Sequence, residues 1–217
     1  MTAVHSLPDR TAAPVLVGTG LHELKLGPLV LRLPDLALPP GVTWVGGGEG
    51  RGKTSLLRLL AGDLRVPGVV LQLGDVTFPA QAGPYARQVF WMDPRTSAHD
   101  AVPARQFLDT TAARYPQWDA ALQAHLQDAL GLSPHIDKPL YMHSTGSKRK
   151  VWLTAALASG ATLTLLDEPF AALDKASIRS ILALLQECAQ HTHRAWVVAD
   201  YEAPPDVALA LTIDLGD

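Results

Sequence analysis

The chain has 217 residues, 47% hydrophobic and 18% charged, enough apolar content to bury a substantial core as one α/β domain and too much for a disordered segment. Its formal charge of -3, with Lys148-Arg149-Lys150 as a short basic cluster, excludes non-specific nucleic-acid binding as the main activity, so no nucleic-acid partner is expected. No stretch approaches the roughly 18 consecutive apolar residues that a membrane-spanning helix needs, so the chain itself reads as soluble.

Residues 1 to 17 read as a weakly ordered lead-in, where Pro8, Asp9, Arg10 and Pro14 interrupt any signal-peptide core. From Leu21 to Leu38 short alternating runs such as Leu29-Val30-Leu31-Arg32-Leu33, broken by Gly27-Pro28 and Pro39-Pro40-Gly41, predict antiparallel strands joined by turns. Val42 to Val45 predicts a buried strand, and Ser55 to Leu60 a helix with apolar spacing. Between them lies Gly47-Gly48-Glu49-Gly50-Arg51-Gly52-Lys53-Thr54-Ser55, which meets the pattern Gly-x4-Gly-Lys-Ser/Thr at every fixed position. That order of strand, loop and helix suits a polyphosphate. Glycines let successive backbone N–H groups turn inward, and the helix start adds partial positive charge. In such a P-loop Lys53 reaches the β- and γ-phosphates and the Thr54 hydroxyl sits on Mg²⁺.

Beyond Ala61-Gly62, Gly68 to Leu73 predicts a further strand of the β-subdomain, and Gln88 to Met92 a core strand stopped by Asp93-Pro94. Helical character follows: Arg105 to Arg114, then Trp118 to Leu130 with Pro116 near its start and Gly131 as its stop. Ser144 is placed to cap a third helix running through Leu157, with Lys148, Arg149 and Lys150 in its early turns, either as a solvated face or toward a ligand or partner. Leu163 to Leu166 reads as a buried strand ending in Asp167-Glu168-Pro169. Ile178, Ile181, Leu182, Leu185 and Cys188 then form a helical stripe, where the lone cysteine is a packing residue and its solitude suits a reducing compartment. Trp196 to Ala199 and Leu209 to Leu215 read as the last strands.

An acidic pair at the end of a buried strand, downstream of a P-loop, is what hydrolysis of a metal-bound nucleotide requires. Asp167 can hold the metal's water shell and Glu168 can accept a proton from the attacking water. With Ser144-Thr145-Gly146-Ser147-Lys148-Arg149-Lys150 upstream and Ala172-Leu173-Asp174 just beyond, the sequence from about Leu21 onward resembles the nucleotide-binding subunits of ABC transporters. Leu166 to Asp174 carries the most specific part of the likeness, matching Walker B and D-loop in register.

The resemblance implies an α/β P-loop NTPase of the ABC-ATPase fold, with a RecA-like core, an N-terminal antiparallel β-subdomain and an inserted α-helical subdomain. One domain would span residues 1–217, with core and β-subdomain at about 21–99 and 160–217 and the helical part with the signature loop at about 100–159. Gly47, Gly48, Glu49, Gly50, Arg51, Gly52, Lys53, Thr54 and Ser55 would form Walker A, Asp167 the Walker B carboxylate and Glu168 the catalytic base. Ser144 and Gly146 match the Ser and second Gly of the signature loop, although His143, Thr145 and Ser147 depart from its usual Leu, Gly and Gln. The family implies ATP with Mg²⁺, a head-to-tail homodimer or heterodimer of cassettes, a separate transmembrane subunit, and a cytoplasmic location on the inner face of the membrane. The helical insertion between Asp100 and Leu140 would help form the groove for that subunit, with Trp91, Met92, Phe107, Tyr115 and Trp118 as candidate lining residues.

Two positions alter the expected chemistry. Asp93 stands where the family has a Gln that touches Mg²⁺, and is expected to keep the metal role beside Thr54 and Asp167. Asp200 stands where a His contacts the γ-phosphate, and an anion there predicts slower hydrolysis because His191 and His193 precede the strand and should lie at its opposite end. No aromatic residue precedes Trp44 to stack on adenine, which leaves His22 as the substitute, while the lack of any Asn removes the Asn-Lys-x-Asp guanine-reading motif. The main alternative to a transport ATPase is an ATP-dependent dimerising switch with weak or no hydrolysis. A soluble ABC ATPase of translation or DNA repair would need tandem cassettes or long coiled coils, and a P-loop kinase would leave the signature helix and D-loop unexplained.

Overall fold

The computed structural model describes residues 3–6, 13–26 and 29–216. Its strands are β1 (Ala3–Ser6), β2 (Leu16–Thr19), β3 (Leu24–Leu26), β4 (Leu29–Leu31), β5 (Leu36–Leu38), β6 (Gly41–Gly46), β7 (Val70–Leu73), β8 (Val76–Phe78), β9 (Val89–Phe90), β10 (Leu163–Asp167), β11 (Ala195–Ala199) and β12 (Leu209–Asp214). Its α-helices are α1 (Lys53–Leu60), α2 (Ala82–Ala86), α3 (Ala104–Ala112), α4 (Ala120–Ala129), α5 (Thr145–Ala158) and α6 (Lys175–Cys188).

The principal sheet has the order β1-β12-β6-β11-β10-β9, parallel throughout except for β1, which pairs antiparallel with β12. Its central strands are apolar on both faces, as a parallel sheet covered on both sides requires. The period-2 alternation sorts them: Val45, Leu163, Leu165, Ala195 and Val197 join one buried cluster with Leu56, Leu57, Leu59 and Leu60 of α1. Val42, Leu166, Trp196 and Val198 join the other, with residues of α3, α5 and α6. A second, antiparallel sheet of order β5-β2-β7-β8 packs into the first cluster, and β3 pairs with β4 as a separate antiparallel unit. The α/β architecture and its antiparallel β-region are therefore as expected.

Several local expectations are corrected. Ala3–Ser6 is not lead-in but an edge strand on β12, registered from Ala3 opposite Asp214 to Ser6 opposite Leu211, and Leu16 and Val17 already belong to β2. The rest of the expected lead-in at residues 7–12, and the Gly27-Pro28 turn, lie outside the described residues. The strand expected over Gln88 to Met92 is ordered as a ladder only at Val89–Phe90, since β10 pairs with those two residues alone. Val76–Phe78 and Ala82–Ala86 were too short and too Gly- and Pro-rich in their surroundings to show a period.

The helical elements begin and end where side-chain chemistry stops them. Asp119 caps α4 by accepting the Leu122 N–H at 2.8 Å, and Gly131 takes φ +67° just past its end. Ser144 caps α5, which is buried nearly all round from Val151 to Ala158. Phe107 and Tyr115, expected to line a docking groove, are core residues at 3% and 6% exposure, and the Tyr115 hydroxyl donates to the Val89 carbonyl at 2.9 Å. Trp91 packs against the first cluster and Met92 and Trp118 against the second.

The fully buried Tyr85 ties α2 to the P-loop helix, since its hydroxyl donates to the Leu60 carbonyl at 2.6 Å and burial pushes its pKa well above the usual phenol range. Tyr85→Phe leaves that carbonyl without its partner and is expected to cost about 1–2 kcal/mol, read as a lower urea midpoint with an unchanged m-value.

Candidate functional site

Three parallel strands bring the candidate residues to one level. Val45 of β6 lies opposite Ala199 of β11, which lies opposite Asp167 of β10, so the loops leaving these strands meet at the same edge. That edge is where ligands bind in open α/β sheets. The cleft there, of roughly 300 Å³, is lined by Glu49, Gly50, Arg51, Gly52, Lys53, Thr54, Ser55, Arg95, Glu168 and Tyr201.

The P-loop adopts a shape that side chains would obstruct. Gly47 has φ +145° with Leu215 and Gly216 packed beside it, and Gly52 has φ +96° immediately before α1. No side chain caps α1, so the orphan N–H groups at its start remain available to an anion. Lys53 is buried at 6% exposure, and its Nζ donates to the carbonyls of Gly47 at 2.6 Å and Gly48 at 2.9 Å. The Tyr201 ring covers the same ammonium, 4.0 Å from Nζ to the ring centroid. Two carbonyls and an aromatic face thus occupy Lys53, and a phosphate must displace part of that arrangement to reach it.

Thr54 Oγ1 donates to Asp167 Oδ2 at 2.7 Å, joining P-loop helix to β10. Asp167 is 6% exposed and its Oδ1 is buried with no hydrogen-bond partner. Burial raises the Asp167 pKa, against the lowering effect of the Thr54 hydrogen bond. A buried carboxylate with one orphaned oxygen beside a threonine hydroxyl is a fitting receptor for a hard divalent cation, which takes few protein oxygens when phosphates supply the rest. No group of three or more His, Cys, Asp or Glu residues able to cage a metal occurs among the described residues.

Glu168 is held in the left-handed region at φ +45°, a conformation that needs outside support in a non-glycine residue. Its N–H donates to the Ala199 carbonyl at 2.8 Å, and its carbonyl accepts from Arg149 Nη1 at 2.7 Å. The same Arg149 nitrogen donates to the Asp167 carbonyl at 3.0 Å. Arg149 is therefore a buried backbone clamp under the acidic pair rather than part of a solvated face. Its neighbours act as ties as well: Lys148 Nζ pairs with Asp100 at 2.6 Å and Lys150 Nζ with Asp174 at 2.6 Å.

The two departing aspartates have local work. Asp93 Oδ1 accepts the Arg95 N–H at 2.8 Å, and the Asp93 carbonyl accepts the Thr96 N–H at 3.1 Å, a turn that delivers Arg95 to the cleft. Arg95 Nη2 then lies 3.9 Å from Glu168 Oε1. Asp200 Oδ1 accepts the N–H of Tyr201 at 2.8 Å, and its backbone carbonyl accepts from Trp44 Nε1 at 3.3 Å. Burial raises the Asp200 pKa, with Glu168 and Asp167 adding to the effect. His191 is engaged elsewhere, accepting from Trp196 Nε1 at 3.3 Å, and His22 pairs with Asp35 at 3.6 Å and does not line the cleft. Arg149 stands out in the sequence only as part of the basic cluster, and Arg95 and Tyr201 do not stand out, though each follows within two residues of a position that departs from the expected pattern.

Ser144 and Gly146 do not line this cleft. Ser144 Oγ accepts the Ser147 N–H at 3.1 Å at the start of α5, while a Cβ on Gly146 would strike the carbonyl oxygen of Ala172, itself at φ +61°. Signature loop and D-loop are thus packed backbone to backbone.

This fold and cleft define a P-loop nucleotide hydrolase. The ABC transporter family model matches residues 34–171, and the chain belongs to that family as an ATP-binding ATPase subunit of a transporter. It is 32% identical over 183 residues to the cytochrome c biogenesis ATP-binding export protein CcmA of Pseudomonas syringae pv. syringae, covering 83% of this chain and 85% of that one. It is 31% identical over 182 residues to the molybdenum import ATP-binding protein ModC of Brucella melitensis biotype 1, covering 78% of this chain and 49% of that one. The solved ATP-binding subunit of an ABC transporter superposes with a TM-score of 0.74 at 17% identity, covering 85% of this chain and 79% of the other, a likeness of fold. No helix among the described residues is long and apolar enough to cross a membrane.

Gly146→Ala forces the signature loop away from the D-loop and is expected to lower stability by about 1–3 kcal/mol, measured as a shift in the denaturant midpoint.

Proposed function

We propose that this chain binds Mg-ATP between two cassettes arranged head to tail and hydrolyses it to drive a separate transmembrane subunit at the inner face of the membrane. The observation that carries the reading is a divided site. Lys53, Thr54 and Glu168 line one cleft, with Asp167 bonded to Thr54 beside it, whereas Ser144 and Gly146, at the start of a helix of 14 residues, lie outside it. A second copy, or a related cassette, would bring its Ser144 and Gly146 to the open side of the cleft, where a helix N-terminus favours an anion.

Within that arrangement the N–H groups of Gly48 to Thr54 hold the phosphates, and Lys53 exchanges its loop carbonyls and the Tyr201 ring for phosphoryl oxygens. Thr54 and Asp167, with Asp93 close by, would hold Mg²⁺, which would offset phosphate charge. Glu168 accepts the proton of the attacking water while Arg149 keeps its backbone in position. Similarity at matching identity to a protein named for export and one named for import supports the ATPase role over any one cargo. The domain reading of a core interrupted by a helical part near residues 100–159 is supported by the run of α3, α4 and α5 between β9 and β10.

Glu168→Gln is expected to retain ATP binding, to lose turnover by at least about 100-fold, and to accumulate ATP-dependent dimers in light scattering. Full turnover in that variant, or a monomer at saturating ATP, would sink the reading. Asp200 puts an anion near the γ-phosphate end, which supports slow hydrolysis by the natural chain. Asp200→His is expected to raise turnover about 3- to 10-fold, and a steady-state ATPase assay that finds no gain refutes that role.

A further inference from the structure

The cleft carries a charge problem and a cation suited to it. Glu168 lines the cleft with Lys53 and Thr54, at the end that receives the β- and γ-phosphates; Asp167 accepts from Thr54 beside it, and Asp200 is near enough to interact with Lys53 and both carboxylates. Adding a polyanion there beside three carboxylates is unfavourable unless further positive charge comes within a few ångströms. Lys53 is a single point charge, and Arg149 Nη1 is committed to the carbonyls of Asp167 and Glu168. Of the two arginines that line the cleft, Arg51 and Arg95, Arg95 is the one paired with Glu168.

Its placement is built rather than incidental. The Asp93 carboxylate fixes the Arg95 N–H, so the carboxylate at this departing position aims a cation at the site. The guanidinium is 71% exposed, and its contact with Glu168 is a long 3.9 Å, so it is free to change partners. A γ-phosphate offers a planar guanidinium a stronger, two-pronged partner.

We infer that Arg95 is a γ-phosphate-contacting residue of the ATP site, aimed by the Asp93 turn, and that entry of the triphosphate transfers it from Glu168 to the phosphate. The inference rests on the proposed Mg-ATP site. It assigns the positive charge that position 200 does not supply to a residue of the same chain. ADP, which lacks that phosphate, leaves Arg95 on Glu168.

The test uses the full chain carrying Glu168→Gln, which prevents turnover and removes the charge pairing with Arg95. ATP and ADP affinities with Mg²⁺ are measured by competition with a fluorescent nucleotide, with and without Arg95→Ala or Arg95→Lys. Arg95→Ala is expected to weaken ATP by about tenfold and leave ADP unchanged, while Arg95→Lys recovers most of the loss. Equal losses for ATP and ADP, or no loss of either, would overturn the assignment while leaving the nucleotide site intact. If the Glu168→Gln parent bound neither nucleotide, the Mg-ATP reading would fail and the assignment with it.

Discussion

The structure depends on the parallel register of β6, β11 and β10. Because Val45, Ala199 and Asp167 sit side by side, the P-loop, the Asp200 turn and the acidic pair leave the sheet at one height. The Thr54–Asp167 hydrogen bond and the Glu168 N–H to Ala199 carbonyl bond then lock the three loops together. A slip of one residue in any of these strands would turn its apolar side chains to the wrong layer and part the groups that must share a ligand. Both faces of the sheet are buried, so the hydrophobic layers hold the register and the register holds the site.

Polar groups at the site are arranged to receive an anion and a cation. Asp167 has an orphaned oxygen and a raised pKa from burial, Lys53 leans on carbonyls and an aromatic ring, and Glu168 sits at φ +45°. Such strain is tolerated where function requires it and is supported from outside, here by Arg149 beneath the acidic pair. The two aspartates that depart from the family pattern act first on their own backbones, and through them present Arg95 and Tyr201 to the cleft. Replacing a residue that reaches the ligand by one that positions a neighbour can preserve a site while changing which side chain meets it.

The region around Ser144 and Gly146, the half-site of the proposed pairing of cassettes, is organised by a different set of contacts. Ser144 caps α5, Gly146 admits the Ala172 carbonyl, and Lys150 joins α5 to Asp174 at the start of α6. Arg149 of the same helix holds the carbonyls of Asp167 and Glu168, so the Ser144–Gly146 turn, the Ala172 turn and the acidic pair are all packed against α5.

Much of this was legible in linear order because the chemistry is local. A phosphate loop needs its glycines, lysine and threonine within nine residues, helix caps act over three, and a buried strand shows as an unbroken apolar run, so Gly47 to Ser55, Ser144 and Leu163 to Glu168 declared themselves. Other features depend on partners far away in the chain. Ala3–Ser6 is a strand because β12 offers an edge, Arg149 is a clamp because β10 ends beneath it, and Arg95 and Tyr201 enter the cleft because separate strands end at one level. Sequence alone determined the family, the nucleotide loop and the acidic pair, whose interactions are short in range. Tertiary structure alone decided which cations and rings face them, because that depends on strand register and burial, which no single segment encodes.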